Sequence, residues 1–351
     1  MEFLQSKKGL FIMGGLAGVV AAILAFSGNP TNMGICIACF IRDTAGAMQL
    51  HSASIVQYVR PEIIGMVLGS LIISLMTKEY RSTAGSSPMV RFVLGVIIMI
   101  GSLLFLGCPL RMVLRMAGGD LNAYVALVGF VLGVGTGVLA LKKGFTLGRA
   151  HETQKVNGMV MPALLAGILV LSLVATTLFV TSTEGPGSLS APIIVSLIGG
   201  LVFGAIAQKS RMCFAGSLRD VFLMKNFDLL SVIGGVFVVM LIYNAMTGGL
   251  NIGFADQAVA HTDHLWNLLG MYIVGFAAVL AGGCPLRQLI LTGQGSSDAA
   301  VTVVGMFAGA AICHNWGLAS ATTGTTEAGR IAGIICIIVL FYIGFVGAKR
   351  K

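Results

Sequence analysis

Residues 90–111 read VRFVLGVIIMIGSLLFLGCPLR, and this stretch decides the class of fold. The apolar run over 90–107 approaches the length of about 20 residues that a helix needs to cross a bilayer. Pro109 cannot continue that helix because it lacks a backbone N–H, but it suits the first position of a new helix. The stretch therefore predicts a membrane span followed directly by a short second helix.

The composition of the whole chain agrees with a membrane location. Of 351 residues, 56% are hydrophobic and only 10% are charged, whereas a soluble domain carries about 25% charged residues. So few charges cannot cover a water-facing surface, which excludes a soluble protein. The net charge of +9 would suit nucleic acid, but no charge-rich soluble segment is available to bind it. We predict an all-α polytopic protein whose surroundings are membrane lipid.

Apolar windows along the chain, including 90–107, give about ten membrane segments. They fall at 9–27, 61–77, 90–107, 121–141, 160–180, 190–208, 229–247, 265–282, 299–318 and 330–348. With the N-terminus inside, only five of the 22 Lys and Arg residues fall on the outer side, namely Arg42, Arg60, Arg111, Arg115 and Arg330. Because basic residues concentrate in cytoplasmic loops, both termini are predicted to be cytoplasmic.

Two sequence motifs occur twice in the chain. Residues 36–43 read CIACFIRD and residues 213–220 read CFAGSLRD, which share a Cys, five intervening residues and Arg-Asp. Residues 107–111 read GCPLR, and residues 283–287 read GCPLR again. Two motifs repeated in the same order indicate that the chain contains two copies of one unit.

The spacing supports this repeat. Cys36 and Cys108 are 72 residues apart, and Cys213 and Cys284 are 71 residues apart. When the two copies are aligned in this register, Gly129 aligns with Gly305 and Gly133 aligns with Gly309. Chance does not readily produce such an ordered set.

The two copies are predicted to have opposite orientations. Five spans separate each motif from its copy, and an odd number reverses the direction of the chain. This is the arrangement of inverted-topology repeats in transporters. The most polar stretch, 142–158, marks the boundary, so we predict a first repeat over 1–150 and a second over 151–351.

The GCPLR motif is the strongest candidate for chemistry. Each copy predicts a re-entrant half-helix with its cysteine at the N-terminus, where free N–H groups and the helix dipole favour an anion. The arginine in the first turn is costly inside a membrane and needs a carboxylate or a passing anion. The predicted pathway residues from this motif are Cys108, Pro109, Arg111, Cys284, Pro285 and Arg287. The alternative is that Cys-Pro only ends a helix and that each arginine extends to lipid headgroups.

The other motif adds Cys36, Cys213, Arg42 and Arg219 to the predicted pathway. Its alternative is structural: Arg-Asp ion pairs at a loop, with each thiol acting as a small buried hydrophobe. Cys39 forms a C-x-x-C with Cys36, which is weak evidence for redox chemistry. A zinc site needs four ligands and no second pair exists, so neither a metal nor a cofactor is predicted.

Carboxylates are scarce in the predicted spans. Glu62 follows Pro61 in a first helical turn, where it is interpreted as favouring the helix N-terminus. No carboxylate proton relay is therefore predicted.

The repeated GCPLR and the CFAGSLRD segment resemble the YeeE/YedE family of bacterial inner-membrane proteins, over essentially the whole chain. The resemblance implies a helical transporter with re-entrant helices, internal pseudo-symmetry and uptake of thiosulfate. It also implies three pathway cysteines, which by motif are Cys108, Cys213 and Cys284. The two GCPLR copies are most similar to the YedE-type branch linked to selenium metabolism. A small soluble sulfur-carrier protein is an implied partner.

Together these observations predict a transporter rather than an enzyme. Its solute is a small sulfur- or selenium-containing compound, an anion such as thiosulfate or a selenium analogue, that crosses the inner membrane by hydrogen bonds to thiols. One alternative is a membrane thiol-redox subunit that uses Cys36 and Cys39 as a dithiol. Another is a structural partner of a selenium- or sulfur-handling complex.

Overall fold

A computed structural model of the chain describes residues 6–346. Its helices are α1 Lys7–Phe26, α2 Ile37–Ala47, α3 Pro61–Met76, α4 Pro88–Phe105, α5 Pro109–Ala117, α6 Leu121–Lys142, α7 Lys155–Val174, α8 Ile193–Lys209, α9 Phe214–Met224, α10 Asp228–Thr247, α11 His264–Leu280, α12 Pro285–Gly293, α13 Ser297–Asn315 and α14 Glu327–Phe341. A 3-10 turn, Thr176–Leu178, follows α7, and a π-helical turn, Tyr342–Val346, follows α14. Two short strands, β1 Thr83–Ala84 and β2 His151–Glu152, pair antiparallel.

The prediction of an all-α polytopic membrane protein is confirmed. Within residues 6–346, nine helical segments are long and apolar enough to cross a membrane. The helix Pro61–Met76 is also apolar but has only 16 residues. The end of the predicted window 330–348 and the basic residues Lys349, Arg350 and Lys351 lie outside the described residues.

Proline starts the short helices where the sequence predicts it. Pro109 is the first residue of α5 and Pro285 is the first residue of α12, and each helix has nine residues. Nine residues rise only about 14 Å at 1.5 Å per residue, which is about half of the hydrocarbon thickness. Neither helix can therefore span the bilayer alone.

Loop contacts define two faces of the molecule. On the face where α1 begins, here called the N-terminal face, the Tyr80 hydroxyl donates to the Lys155 carbonyl at 2.7 Å. On the opposite face, Arg60 Nη1 donates to the Leu189 carbonyl at 3.0 Å. These contacts join loops that are far apart in sequence and fix the depth of the helices between them.

The two GCPLR half-helices end on different faces. Gly118, directly after α5, accepts a hydrogen bond from the Asn251 N–H at 2.9 Å in a loop of the opposite face. Gln294, directly after α12, accepts from the Arg81 N–H at 3.0 Å on the N-terminal face. The two short helices therefore lead to opposite sides of the molecule.

The helix contacts of the two halves correspond: when each helix of a contact is replaced by its counterpart in the other half, the resulting pair is also in contact. The contact of α6 with α11 corresponds to that of α13 with α4, and the contact of α1 with α10 corresponds to that of α8 with α3. A Cβ at Gly129 would lie 1.9 Å from the Leu268 carbonyl oxygen, and one at Gly305 would lie 2.3 Å from the Phe92 carbonyl oxygen. Glycine is needed at both crossings because the backbones touch. Helices α7 and α14 have no counterpart in this scheme, and the division at 150/151 stays a prediction.

Candidate functional site

Four cysteines cap the four short helices. Cys36, Cys108, Cys213 and Cys284 are the N-cap residues of α2, α5, α9 and α12. The backbone angles match in pairs. Cys36 has φ −145° and ψ 113°, and Cys213 has φ −156° and ψ 114°. Cys108 has φ −86° and ψ 172°, and Cys284 has φ −66° and ψ 168°. All four side chains are buried.

The first group of thiols, here called the three-thiol cluster, consists of Cys36, Cys39 and Cys108. The Cys36 Sγ lies 2.9 Å from the Cys39 Sγ and 3.8 Å from the Cys108 Sγ. The Cys39 backbone N–H donates to the Cys36 Sγ at 3.3 Å. Cys36 thus joins α2 to the start of α5 through its side chain.

The second group, the two-thiol cluster, consists of Cys213 and Cys284. The Cys213 Sγ accepts from the backbone N–H of Gly216 at 3.1 Å and of Cys284 at 3.5 Å. Gly216 stands where the first copy has Cys39, and a Cβ there would lie 3.1 Å from the Cys213 Sγ. The two clusters therefore share a plan but differ by one thiol.

Each GCPLR thiol lies at the N-termini of two helices. The Cys108 Sγ lies 3.8 Å from the Sγ of Cys36, so Cys108, which caps α5, also adjoins the start of α2. The Cys284 backbone N–H donates to the Sγ of Cys213, which caps α9, so Cys284 adjoins the starts of both α12 and α9. Because the positive ends of two helix dipoles meet at each thiol, both places favour an anion.

The four short helices form a closed ring of contacts. The thiol contacts connect α2 with α5 and α9 with α12. Direct helix packing connects α9 with α5 and α12 with α2. Both thiol clusters therefore lie within one central assembly, with the longer helices around it.

Arg111 is a buried cation without a carboxylate partner. Its side chain is 0% exposed. It donates to the carbonyls of Asn32 at 3.1 Å, of Val259 at 3.1 Å and of Leu106, and to the Cys39 Sγ at 3.6 Å. All of these acceptors are uncharged as carbonyl or thiol groups. Among residues 6–346, no carboxylate lies within ion-pair distance of this guanidinium.

Arg287 has a more open setting on the N-terminal face. Its Nη1 donates to the Gln208 Oε1 at 3.3 Å, and the Gln208 Nε2 donates to Glu79 at 3.3 Å. Glu79 also binds Lys209 at 3.1 Å and Arg211 at 3.3 Å. Burial acts to raise the pKa of Glu79, but the hydrogen bond from Lys209 and the charge of Arg211 outweigh it and lower that pKa. This end of the ring therefore holds three cations around one ionised carboxylate.

Comparison with known proteins shows similarity to one family over part of the chain. Residues 209–346 match a family described as "Sulphur transport". The matched residues are less than half of the chain, and over them the chain is similar to this sulfur-transport family. The family match includes Cys213 and Cys284, and the resemblance to the YeeE/YedE proteins is confirmed. The selenium branch stays a prediction.

Two curated proteins are similar to part of the chain. One, named thiosulfate transporter TsuA, from Spirochaeta thermophila, is 29% identical over 107 residues, which are 30% of this chain and 32% of the relative. The other, with the same name, from Escherichia coli, is 30% identical over 111 residues, which are 29% of each chain. The matched stretch thus spans about a third of each relative or less. Both relatives are named as transporters, which agrees with the prediction of a transporter rather than an enzyme.

The Arg-Asp pairs of the other motif form ion pairs within themselves. Arg42 binds Asp43 at 2.6 Å, and the same carboxylate binds Arg60 at 2.8 Å, with all three side chains buried. Arg219 binds Asp220 at 2.9 Å and is 34% exposed. In the described part of the chain, the guanidiniums of both Arg42 and Arg219 bond to carboxylates and neither bonds to a thiol. The geometry favours the structural interpretation of these two arginines, and their role in the pathway stays a prediction.

We expect Asp43→Asn to destabilise the protein strongly. It would leave the buried Arg42 and Arg60 without a counter-charge, and breaking a buried ion pair costs about 3–5 kcal/mol. The matched control is Asp220→Asn, since its partner Arg219 is partly exposed and such pairs contribute about 0–1 kcal/mol. Thermal unfolding in detergent should show a large fall in Tm for the first variant and little change for the second. Equal Tm values for the two variants would contradict this account.

Sequence reasoning missed Cys39 as a member of the site. It treated the C-x-x-C only as weak evidence for redox chemistry, yet Cys39 contacts both Cys36 and Arg111. The signal was present, because an N-cap residue and the residue three positions later adjoin in the first helical turn. Only the folded chain brings Arg111 to that turn.

Proposed function

We propose that the chain is a membrane transporter that imports a small anion containing sulfur or selenium, thiosulfate or a selenium analogue, through a cysteine-lined pathway. Arg111 is the observation that supports this most directly. It is a fully buried cation beside three thiols and has only neutral acceptors in the described structure. An unpaired buried charge costs several kcal/mol. An anion that pauses beside it would remove that cost.

The proposed membrane is the bacterial inner membrane, with both termini in the cytoplasm. The N-terminal face would then be cytoplasmic, and Arg111 would lie toward the outer side. In this scheme residues 1–150 and 151–351 form the two inverted repeats. The corresponding helix contacts and the paired angles of the capping cysteines support it.

In the proposed mechanism the anion first meets Arg111 and the three-thiol cluster. The S–H groups of Cys36 and Cys108 donate to it while the N-termini of α2 and α5 stabilise its charge. It then passes to Cys213 and Cys284, where the N-termini of α9 and α12 do the same. Arg287 and its neighbouring cations attract it at the N-terminal face. No covalent bond to sulfur is formed.

Thiols suit this solute for a physical reason. A thiol is a weak donor with a soft, polarisable sulfur, so it binds an anion without holding it tightly. A pathway needs binding that is favourable enough for entry and weak enough for exit. A ring of four thiols and two arginines meets both needs.

The alternative is a membrane thiol-redox subunit. The contact of 2.9 Å between the Cys36 and Cys39 sulfurs favours it, because a dithiol at a helix N-terminus is poised for disulfide formation. Cys39→Ser separates the two functions. A redox subunit needs the sulfur and would lose activity, whereas a transporter keeps a donor in the serine hydroxyl and should work nearly as well.

The test is uptake of radiolabelled thiosulfate into proteoliposomes that contain the purified protein. Selenite, selenosulfate and sulfate are added unlabelled as competitors, and a thiol reagent is added as inhibitor. We expect saturable uptake that the thiol reagent blocks, and the order of the competitors identifies the preferred anion. Absence of both uptake and direct binding would contradict the proposal. A small soluble sulfur-carrier protein is a proposed partner and would be added in a parallel assay.

A further inference from the structure

Glu62 is a buried carboxylate outside the thiol ring. It lies in the first turn of α3 and its side chain is 0% exposed. The sequence analysis assigns Glu62 only a role at a helix N-terminus and predicts no carboxylate relay. The structure instead encloses it between α3, α8 and the segment that follows α1.

Its two carboxylate oxygens have unequal surroundings. Oε1 accepts from the Asn29 Nδ2 at 2.8 Å and from the Ser196 Oγ at 3.1 Å. Oε2 has no hydrogen-bond partner among the residues that the structure describes. One oxygen is therefore anchored and the other is available to carry a proton.

No cation in the described structure neutralises Glu62. The ionisable side chains that the surrounding elements carry at this face are Arg42, Asp43, His51, Tyr58, Arg60 and Glu184. Arg60, the nearest in sequence, instead donates to Asp43 and to the carbonyls of Leu189 and Pro186. Within residues 6–346, none of the six forms an ion pair or hydrogen bond with Glu62. Glu62 therefore lies outside every ion pair of the described residues.

Asn29 connects this carboxylate to the thiol ring. Its Nδ2 donates both to Glu62 and to the Gly34 carbonyl at 2.9 Å, two residues before Cys36. Its Oδ1 accepts from the Ala191 N–H at 2.9 Å. A hydrogen bond to an ionised carboxylate is about twice as strong as a neutral one. The charge on Glu62 therefore sets how firmly Asn29 holds the segment that presents Cys36.

A cavity lies near the start of the helix that carries Glu62. A cavity of about 150 Å³ opens beside the start of α3, lined by Pro61 and by the polar side chains of Tyr58, Ser172 and Thr176 among others. Pro61 immediately precedes Glu62.

Import of an anion into a cell with a negative interior opposes the membrane potential. Accumulation therefore requires a second, favourable ion movement. We propose that Glu62 is the proton-binding site of a proton-coupled transport cycle, an inference that rests on the proposed transport function. A proton from the outer medium binds Oε2 when the anion enters, the O–H bond breaks when the site faces the cytoplasm, and the proton leaves there. No electrons are exchanged in either step.

The test uses thiosulfate uptake into proteoliposomes with the potential clamped at zero by valinomycin and equal potassium. With the medium more acidic than the lumen, the wild-type protein should accumulate thiosulfate by about tenfold per pH unit for one proton per anion. Glu62→Gln keeps the size and the Oε1 acceptor but cannot take up this proton. It should equilibrate thiosulfate without accumulating it, at any pH gradient. The matched control is Glu327→Gln, an exposed glutamate in the first turn of α14, which should behave as wild type.

The outcomes separate this inference from the proposed function. Downhill uptake that ignores the pH gradient in the wild type, or accumulation that persists in Glu62→Gln, overturns proton coupling at Glu62 and leaves transport intact. Absence of any saturable uptake overturns transport itself. Wild-type alkalinisation of a weakly buffered medium on addition of thiosulfate gives an independent check, and its absence also overturns coupling. If Glu62→Gln is not recovered folded, Glu62→Ala is assayed with the same two outcomes.

Discussion

Cys108→Ala and Cys284→Ala should each abolish most thiosulfate flux while the protein stays folded. Each variant removes a capping thiol that lies where the starts of two short helices adjoin. A hydrogen bond to a charged group contributes about 1.5–3 kcal/mol, so its loss should reduce flux about 10- to 100-fold. Initial rates of uptake into proteoliposomes, normalised to reconstituted protein, measure this effect.

Cys336→Ala is the matched control for this pair. Cys336 is also a buried cysteine, but it lies on α14, outside the ring of short helices. Its truncation should leave flux unchanged and lower Tm only slightly. Size-exclusion profiles and Tm values that match the wild type show that all three variants are folded. Normal flux in both Cys108→Ala and Cys284→Ala would exclude the thiol relay.

Most of the helical framework could be predicted from the sequence, because its determinants are local. An apolar run of sufficient length has to form a helix in a bilayer, and a proline fixes where a new helix begins. Pro109 and Pro285 therefore mark α5 and α12 without any knowledge of tertiary contacts. The predicted pairing of Gly129 with Gly305 follows from spacing alone, and each glycine does lie against a carbonyl of a facing helix.

The environments of the charged side chains could not be predicted in the same way. Arg111 bonds to Asn32 and Val259, which are 79 and 148 residues away in sequence. Glu62 bonds to Ser196, which is 134 residues away. These distant contacts decide which arginine pairs with a carboxylate. They also decide which carboxylate is left without a cation among the described residues. The sequence predicted the same role for Arg42 and Arg111, yet only Arg42 binds an aspartate.

The difference between the two thiol clusters also required the structure. The sequence shows Cys39 in the first copy and Gly216 in the second. In the folded chain the Arg111 guanidinium donates a hydrogen bond to the Cys39 Sγ, whereas the Arg287 guanidinium donates to Gln208. The side with the extra thiol and the enclosed cation should bind an anion more tightly. An importer that captures a dilute solute outside and releases it inside needs this order of affinities.

Arg111→Met should raise the KM for thiosulfate by at least about 30-fold. Removing one partner of a buried charge pair costs about 2–5 kcal/mol of binding, and in our proposal the anion is that partner. Arg111→Lys keeps the positive charge and should keep most of the affinity, although lysine cannot reach the Asn32 and Val259 carbonyls together. A purely structural arginine would instead make both variants similarly unstable, because both break that pair of hydrogen bonds. The control is Arg330→Met on the same face, where the side chain is 44% exposed and bound to Asp263. Its KM should not change, since an exposed charge is screened by water and salt. A wild-type KM in Arg111→Met, measured over a range of thiosulfate concentrations, would show that the buried cation does not bind the transported anion.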